Sequence, residues 1–139
     1  MGSFYERLVH FTFQAGTCCL GIGLIGLGAS SMASPVFAAQ TYGLPSSEPL
    51  ALKWVKVAGL RDLSLGLATL ALFVFQPSSL RVFAPSAMLV AMGDAVMTID
   101  GPFPAPYQHV FGSVGILVLS IASWLDRQLD ADGSGYQKF

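Results

Sequence analysis

Asp, Glu, Lys and Arg are all missing from residues 8–47, 63–80 and 101–125 of this chain. A bilayer core of ~30 Å is crossed by a helix of ~20 mostly apolar residues. The charge-free runs therefore predict an all-α fold, an integral membrane four-helix bundle, with spans at about 11–33, 52–75, 80–99 and 107–125. Composition agrees. The chain is 53% hydrophobic and 11% charged, with a mean hydropathy of +0.62, against about a quarter charged residues in a soluble domain. A net charge of −1 without a basic block excludes a nucleic-acid partner. The partners expected instead are the lipid bilayer, an apolar small molecule and, through glycine-lined helix faces, a second copy of the chain.

Breaks between the runs carry turn chemistry, not domain chemistry. Ser34-Pro35 and the stretch from Leu44 to Pro49 bracket the first connection, Gln76-Pro77-Ser78-Ser79 forms the second, and Pro102, Pro104 and Pro106 mark the third. One domain covering residues 1–139 follows. The third span is interrupted by Pro85, in its first turns where a missing amide hydrogen does least harm, and by Asp94. Beyond Asp126 the polar tail is expected to fray.

The first run invites comparison with a signal peptide, since Arg7 precedes it and Val36-Phe37-Ala38 follows. It is too long for a signal core, and glycines at 16, 21, 23, 26 and 28 suggest a face for close helix approach. A retained span is expected. Four spans put both termini on one side together with Arg7, Arg81, Arg127 and Lys138. The other side has Lys53, with Lys56 just inside the second span. The positive-inside tendency then places the termini in the cytoplasm. Cys18 and Cys19 are adjacent, which argues against a disulfide framework, and the two histidines lie at opposite ends of the bundle, so neither a metal site nor any cofactor is expected.

Ionisable residues inside a membrane span usually face the bundle interior or a water-filled cavity. Four are found here: Arg61 and Asp62 in the second span, Asp94 in the third and His109 opening the fourth, with Asp100 just beyond the third. At ~1.5 Å per residue, Asp62 lies ~15 Å below the start of its span and Asp94 ~8 Å inside the end of its own. Alternating topology turns these ends to one side of the membrane. The expectation is a graded polar column open toward the first and third loops, with Lys56, Thr98, Tyr107 and Gln108 as possible lining and Trp54 near its rim. Adjacent residues on a helix point ~100° apart, so Arg61 and Asp62 are expected to take partners on other helices: Asp94 for Arg61, and Lys56 or His109 for Asp62. Two carboxyl groups of opposite protonation can serve as acid and base. Desolvated Asp62 is the expected acid, Asp94 the base, and His109 the relay; an Arg61 side chain turned toward Asp62 reverses the two Asp roles. The alternative is a purely structural ion cluster.

The segment Lys56-Val-Ala-Gly59-Leu-Arg61-Asp62-Leu-Ser-Leu-Gly66, followed by Gly93-Asp94, Asp100-Gly101 and His109, resembles a family of small four-span fungal membrane proteins of largely unassigned function. Some of these are associated with polyketide secondary metabolism, in pathways where an epoxidised polyene is hydrolysed and cyclised. That resemblance implies a membrane-embedded epoxide hydrolase or cyclase in the endoplasmic reticulum. Catalysis would fall to Asp62, Asp94 and His109, supported by Arg61, Lys56, Trp54, Asp100 and Tyr107. Terpenoid-type epoxide cyclisation and a non-catalytic scaffold are the other readings.

Overall fold

The computed structural model describes residues 4–99 and 105–132, and its regular structure there is entirely helical. Helix α1 runs Phe4–Ala33, α2 Pro35–Thr41, α3 Pro49–Phe75, α4 Leu80–Met97 and α5 Ala105–Asp132, with one 3₁₀ turn at Pro77–Ser79 leading into α4. Four of these are long and apolar enough to cross a bilayer. Their outer surfaces expose Phe11, Ile22, Val57, Leu67, Val74, Leu89, Phe111 and Ile121, among others. Such a surface belongs in lipid, where it costs nothing.

Two helices extend past the expected spans. Helix α1 begins at Phe4, so its first two turns carry Glu6, Arg7 and His10 beyond the apolar run. Helix α5 continues to Asp132 where a frayed tail was expected; the sequence holds no helix breaker between Asp126 and Gly133. Helix α4 runs through Pro85. The connection between the first two spans was expected to be a loop, and it contains α2. Pro35 occupies the first turn of that helix, where its missing N–H is not needed. Gly43, with φ of 77°, reverses the chain after Tyr42, and the amides of Tyr42, Gly43 and Leu44 satisfy the carbonyls of Ala38, Gln40 and Ala39.

Packing is uneven along the bundle axis. Helices α1 and α3 form the tightest pair. Gly21 and Gly28 of α1 interleave with Gly59 and Gly66 of α3: a Cβ on Gly28 would stand 2.6 Å from the Gly59 carbonyl oxygen, and one on Gly66 would stand 2.7 Å from that of Gly21. Backbone contact this close is the packing that replaces the hydrophobic effect inside a membrane. The five glycines of α1 do not form the single face expected. Gly16 abuts Leu119 of α5, Gly21 and Gly28 meet α3, and Gly23 and Gly26 have open space where a Cβ would be. Helices α4 and α5 form a second pair, and α3 touches α4 only lightly.

At the end where α1 begins and α5 finishes, the two pairs close on each other. Phe13, Leu80 and Ala122 make the core there with Leu72, Phe73 and Phe83, and the Phe13 and Phe73 rings meet edge to face at 6.1 Å. Arg81 Nε donates to the Ser123 carbonyl, and His10 Nδ1 lies 3.0 Å from Asp126 Oδ1. At the other end, Ala38, Ala39 and Val55 with Tyr42 and Leu52 pack α2 against α3. Between these two cores the helix pairs stand apart.

Candidate functional site

A cavity of about 410 Å³ fills the gap between the two helix pairs, within the range of small-molecule sites. Its walls come from α1, α3, α4 and α5, and the end of α2 closes one corner with Thr41 and Tyr42. Asp62, Asp94 and His109 all line it. Three helices thus bring to one cavity the residues that the spacing placed at one end of the bundle. The remaining lining is apolar or small, including Leu24, Leu27, Leu65, Val90 and Ile116.

Arg61 organises the polar end. Its Nη1 and Nη2 donate to Asp94 Oδ1 and Oδ2 at 2.9 and 2.8 Å, the two-pronged geometry that makes guanidinium–carboxylate pairs strong. Nε and Nη2 also donate to Asp62 Oδ1 at 3.0 and 2.9 Å. The expectation that Arg61 and Asp62 turn away from each other is therefore corrected. The ~100° offset applies to Cβ directions, but the arginine side chain is long enough to curl across its neighbour while its far edge reaches α4. Asp62 is 4% exposed, and its other oxygen accepts from the Tyr42 hydroxyl at 2.7 Å. Its partners are Arg61 and Tyr42, not Lys56 or His109. Both Asp62 oxygens accept, from three donors in all. Asp94 has the more open side chain, 29% exposed.

Tyr42 is the residue that sequence reasoning missed. Its hydroxyl bridges Asp62 and Ser31, the latter at 3.2 Å. Ser31 Oγ also donates to the Leu27 carbonyl at 2.9 Å. Burial pushes the Tyr42 phenol up to about 12, and the neighbouring Asp62 carboxylate adds to the rise. The phenol therefore stays protonated and donates. A signal was present: Ser34-Pro35 and Gly43 are start and stop marks for a short helix, and a helix there returns Tyr42 to the bundle. His109 contributes the unsatisfied group. Its Nε2 is buried and has no hydrogen-bond partner, a costly state that a bound polar atom would relieve.

Three expected supporting residues fall elsewhere. Trp54 is 67% exposed on the outer surface, and Lys56 and Tyr107 are exposed as well; none of the three lines the cavity. Helix geometry explains this, since Lys56 stands ~120° round α3 from Asp62, Trp54 ~80° round and two turns higher, and Tyr107 ~160° round α5 from His109. Thr98 is buried and its hydroxyl donates back to the Asp94 carbonyl at 2.8 Å. Asp100 and the side chain of Gln108 lie outside the described residues.

Residues 21–125 match a family described as a domain of unknown function, DUF4267, and the chain belongs to that family. The match takes in the first span from Gly21 onward, the second and third spans whole, the fourth as far as Leu125, and every residue of the cavity's polar end. No curated protein and no solved structure matches the chain.

Proposed function

We propose that this DUF4267 protein is a membrane-embedded hydrolase or cyclase that opens an epoxide on an apolar small molecule. The supporting observation is the convergence of Asp94, Asp62-bound Tyr42 and unpartnered His109 on one largely apolar cavity. Opening an epoxide by water breaks one C–O bond and forms another. A proton leaves the attacking water and a proton reaches the ring oxygen. Asp94, the more open carboxylate, takes the first, and His109 Nε2 supplies the second; transfer from Asp94 to His109 restores both. Asp62 is a positioning residue, bonded to Arg61 behind it and holding Tyr42 at the cavity wall. With a substrate hydroxyl in place of water, the same proton transfers give an oxygen heterocycle. The resemblance to fungal proteins of polyketide metabolism supports an epoxidised polyene as substrate and an endoplasmic-reticulum location, and the basic residues Arg7, Arg81, Arg127 and Lys138 on one side support cytoplasmic termini. A homo-oligomer fits the apolar outer faces.

Incubating membranes that contain the protein with epoxidised polyenes in heavy-oxygen water, followed by product mass analysis, tests this. Label in a diol marks hydrolysis, and unlabelled isomer marks internal cyclisation. Asp94→Asn is expected to slow turnover by ~10²- to 10⁴-fold, the usual worth of a general base. Near-parental turnover in folded Asp94→Asn and His109→Gln proteins rejects the mechanism. A second reading has one observation in its favour: every carboxylate oxygen of Asp62 and Asp94 accepts a hydrogen bond within the protein, as in an ion cluster whose task is to join helices. No turnover of any epoxide by the folded parent would favour that scaffold.

A further inference from the structure

The glycines of this bundle divide into two groups that the sequence does not distinguish. Gly16, Gly21, Gly28, Gly59 and Gly66 are required by contact, because a Cβ at any of them would strike a neighbouring helix. Gly23, Gly26, Gly93, Gly112 and Gly115 would place a Cβ in open space. Helix interiors disfavour glycine, so a glycine without a packing reason is a standing cost to the fold. Two of these five, Gly23 of α1 and Gly112 of α5, line the cavity. They sit among its walls at the level between the polar end and the apolar floor. Gly23 lies one turn from Cys19 and one turn from Leu27, and Gly112 is flanked by His109 and Ile116, all of them lining residues.

We propose that Gly23 and Gly112 set the width of the cavity and so select its ligand, an elongated apolar molecule lying along the helix axes with its polar group at Asp94 and His109. The lining has that shape. From Asp94 to Ala87 on α4, and from His109 to Ile116 on α5, it extends for seven residues, ~10 Å at helical rise. Its ionisable groups are all at one end, and small side chains, Ala87, Ala91 and the two glycines, leave the space below them empty. A larger residue at position 23 or 112 closes the passage without touching a helix contact. This inference rests on the reading of the cavity as the ligand site, but not on epoxide turnover.

Cys19 provides a reporter, since it lines the cavity while Cys18 does not. Cys19 is an exposed residue, so the reagent is a charged methanethiosulfonate that does not partition into lipid. In a Cys18→Ser protein held in nanodiscs, the rate of its reaction with Cys19 measures passage through the cavity. Gly23→Leu and Gly112→Leu are each expected to slow it by roughly tenfold or more, the fold-change equivalent of the steric penalties of overfilled sites. Gly26→Leu and Gly115→Leu, open positions away from the cavity, should label at the parental rate. Gly23→Ala and Gly112→Ala, which add one methyl into free space, give a smaller slowing if the leucine variants fail to insert. An unlabelled parent, or equal rates in cavity and control variants, overturns the proposal. The ligand is probed with the terminal epoxides of hexane, decane and hexadecane. Protection of Cys19 by the longer members in the parent, shifting to hexane oxide in the leucine variants, supports the proposal. A labelling pattern as expected but with no protection by any epoxide leaves the width assignment standing and rejects the epoxide reading instead.

Discussion

Replacing Arg61 by methionine should destabilise the bundle more than any other single change at the polar end. The guanidinium makes four hydrogen bonds, two to each aspartate, and it is the link between α3 and α4 where those helices otherwise touch little. Methionine keeps the aliphatic stem and removes the charge. Breaking a buried ion pair by deleting one partner costs ~3–5 kcal/mol, because the other charge stays buried without compensation. The Asp94 side chain is 29% exposed and that of Arg61 35%, so the expected loss is at the lower end, ~3 kcal/mol. Replacing the whole cluster by neutral groups is often close to neutral, so Arg61→Met/Asp62→Asn/Asp94→Asn should return to within ~1 kcal/mol of the parent. Reversible unfolding by SDS titration in mixed micelles, followed by circular dichroism, measures both. An Arg61→Met protein as stable as the parent, or a triple variant as weak as the single one, would refute the electrostatic account.

Three further outcomes follow from other parts of the structure. Gly28→Leu and Gly66→Leu should abolish the folded α1–α3 pair, since the added carbons meet backbone atoms that cannot yield; retention of a monodisperse, parent-like thermal transition would contradict this. Tyr42→Phe should lose ~1–2 kcal/mol, the worth of a hydroxyl bonded to a carboxylate at a half-buried position, and should alter the alkaline limb of stability. The folded phenol titrates at about 12 against the ordinary 10.0, so its contribution is complete below pH 10 and is lost as pH rises toward 12; unfolding titrations across that window should slope in the parent and flatten in the variant. Finally, in a cysteine-free background, Ser47→Cys and Ser78→Cys should label from opposite sides of the membrane, with Ser78 on the cytoplasmic side. Labelling of both from one side excludes the alternating topology.

Helix number and polar-end composition were legible because they depend on one-dimensional quantities. Charge-free length decides whether a segment can cross a bilayer, and alternating direction decides which ends meet. What escaped was set by angle. Lys56 and Tyr107 match the depth of the site residues but stand on other faces of their helices, and depth alone cannot separate a lining residue from a lipid-facing one. The glycines of α1 failed as a single face for the same reason: successive positions at 21, 23, 26 and 28 point in different directions round the helix. Tyr42 escaped because its segment, too short and too mixed to span a membrane, was read for turn chemistry alone. That Arg61 holds its own neighbour and Asp94 at once depends on side-chain length, which backbone direction alone does not show.

The charge count of the polar end separates a site from a clasp. Arg61 brings one positive charge to two carboxyl groups, so the cluster holds one acid more than a neutral join between helices needs. Surplus charge away from water is costly, and a scaffold gains nothing from it. Asp62 is the acid that the fold requires, since it is buried and bonded from α3 and from Tyr42. Asp94 is therefore the surplus one. Asp94→Asn still offers Arg61 an amide oxygen and leaves the remaining pair balanced, so its stability should fall by less than ~1 kcal/mol or rise. Asp62→Asn, by contrast, should cost ~2 kcal/mol or more, because it leaves a charged hydrogen-bond network short of its central acceptor. On the proposed function, the charge of Asp94 is kept for the reaction beside the unpartnered His109 Nε2, while an amide at the same position can still bond Arg61 and join α3 to α4. SDS unfolding of the two variants beside epoxide turnover by the same preparations decides it: unimpaired stability with lost turnover at Asp94 supports the site, and a loss of stability at Asp94 equal to that at Asp62 would show both acids to be structural.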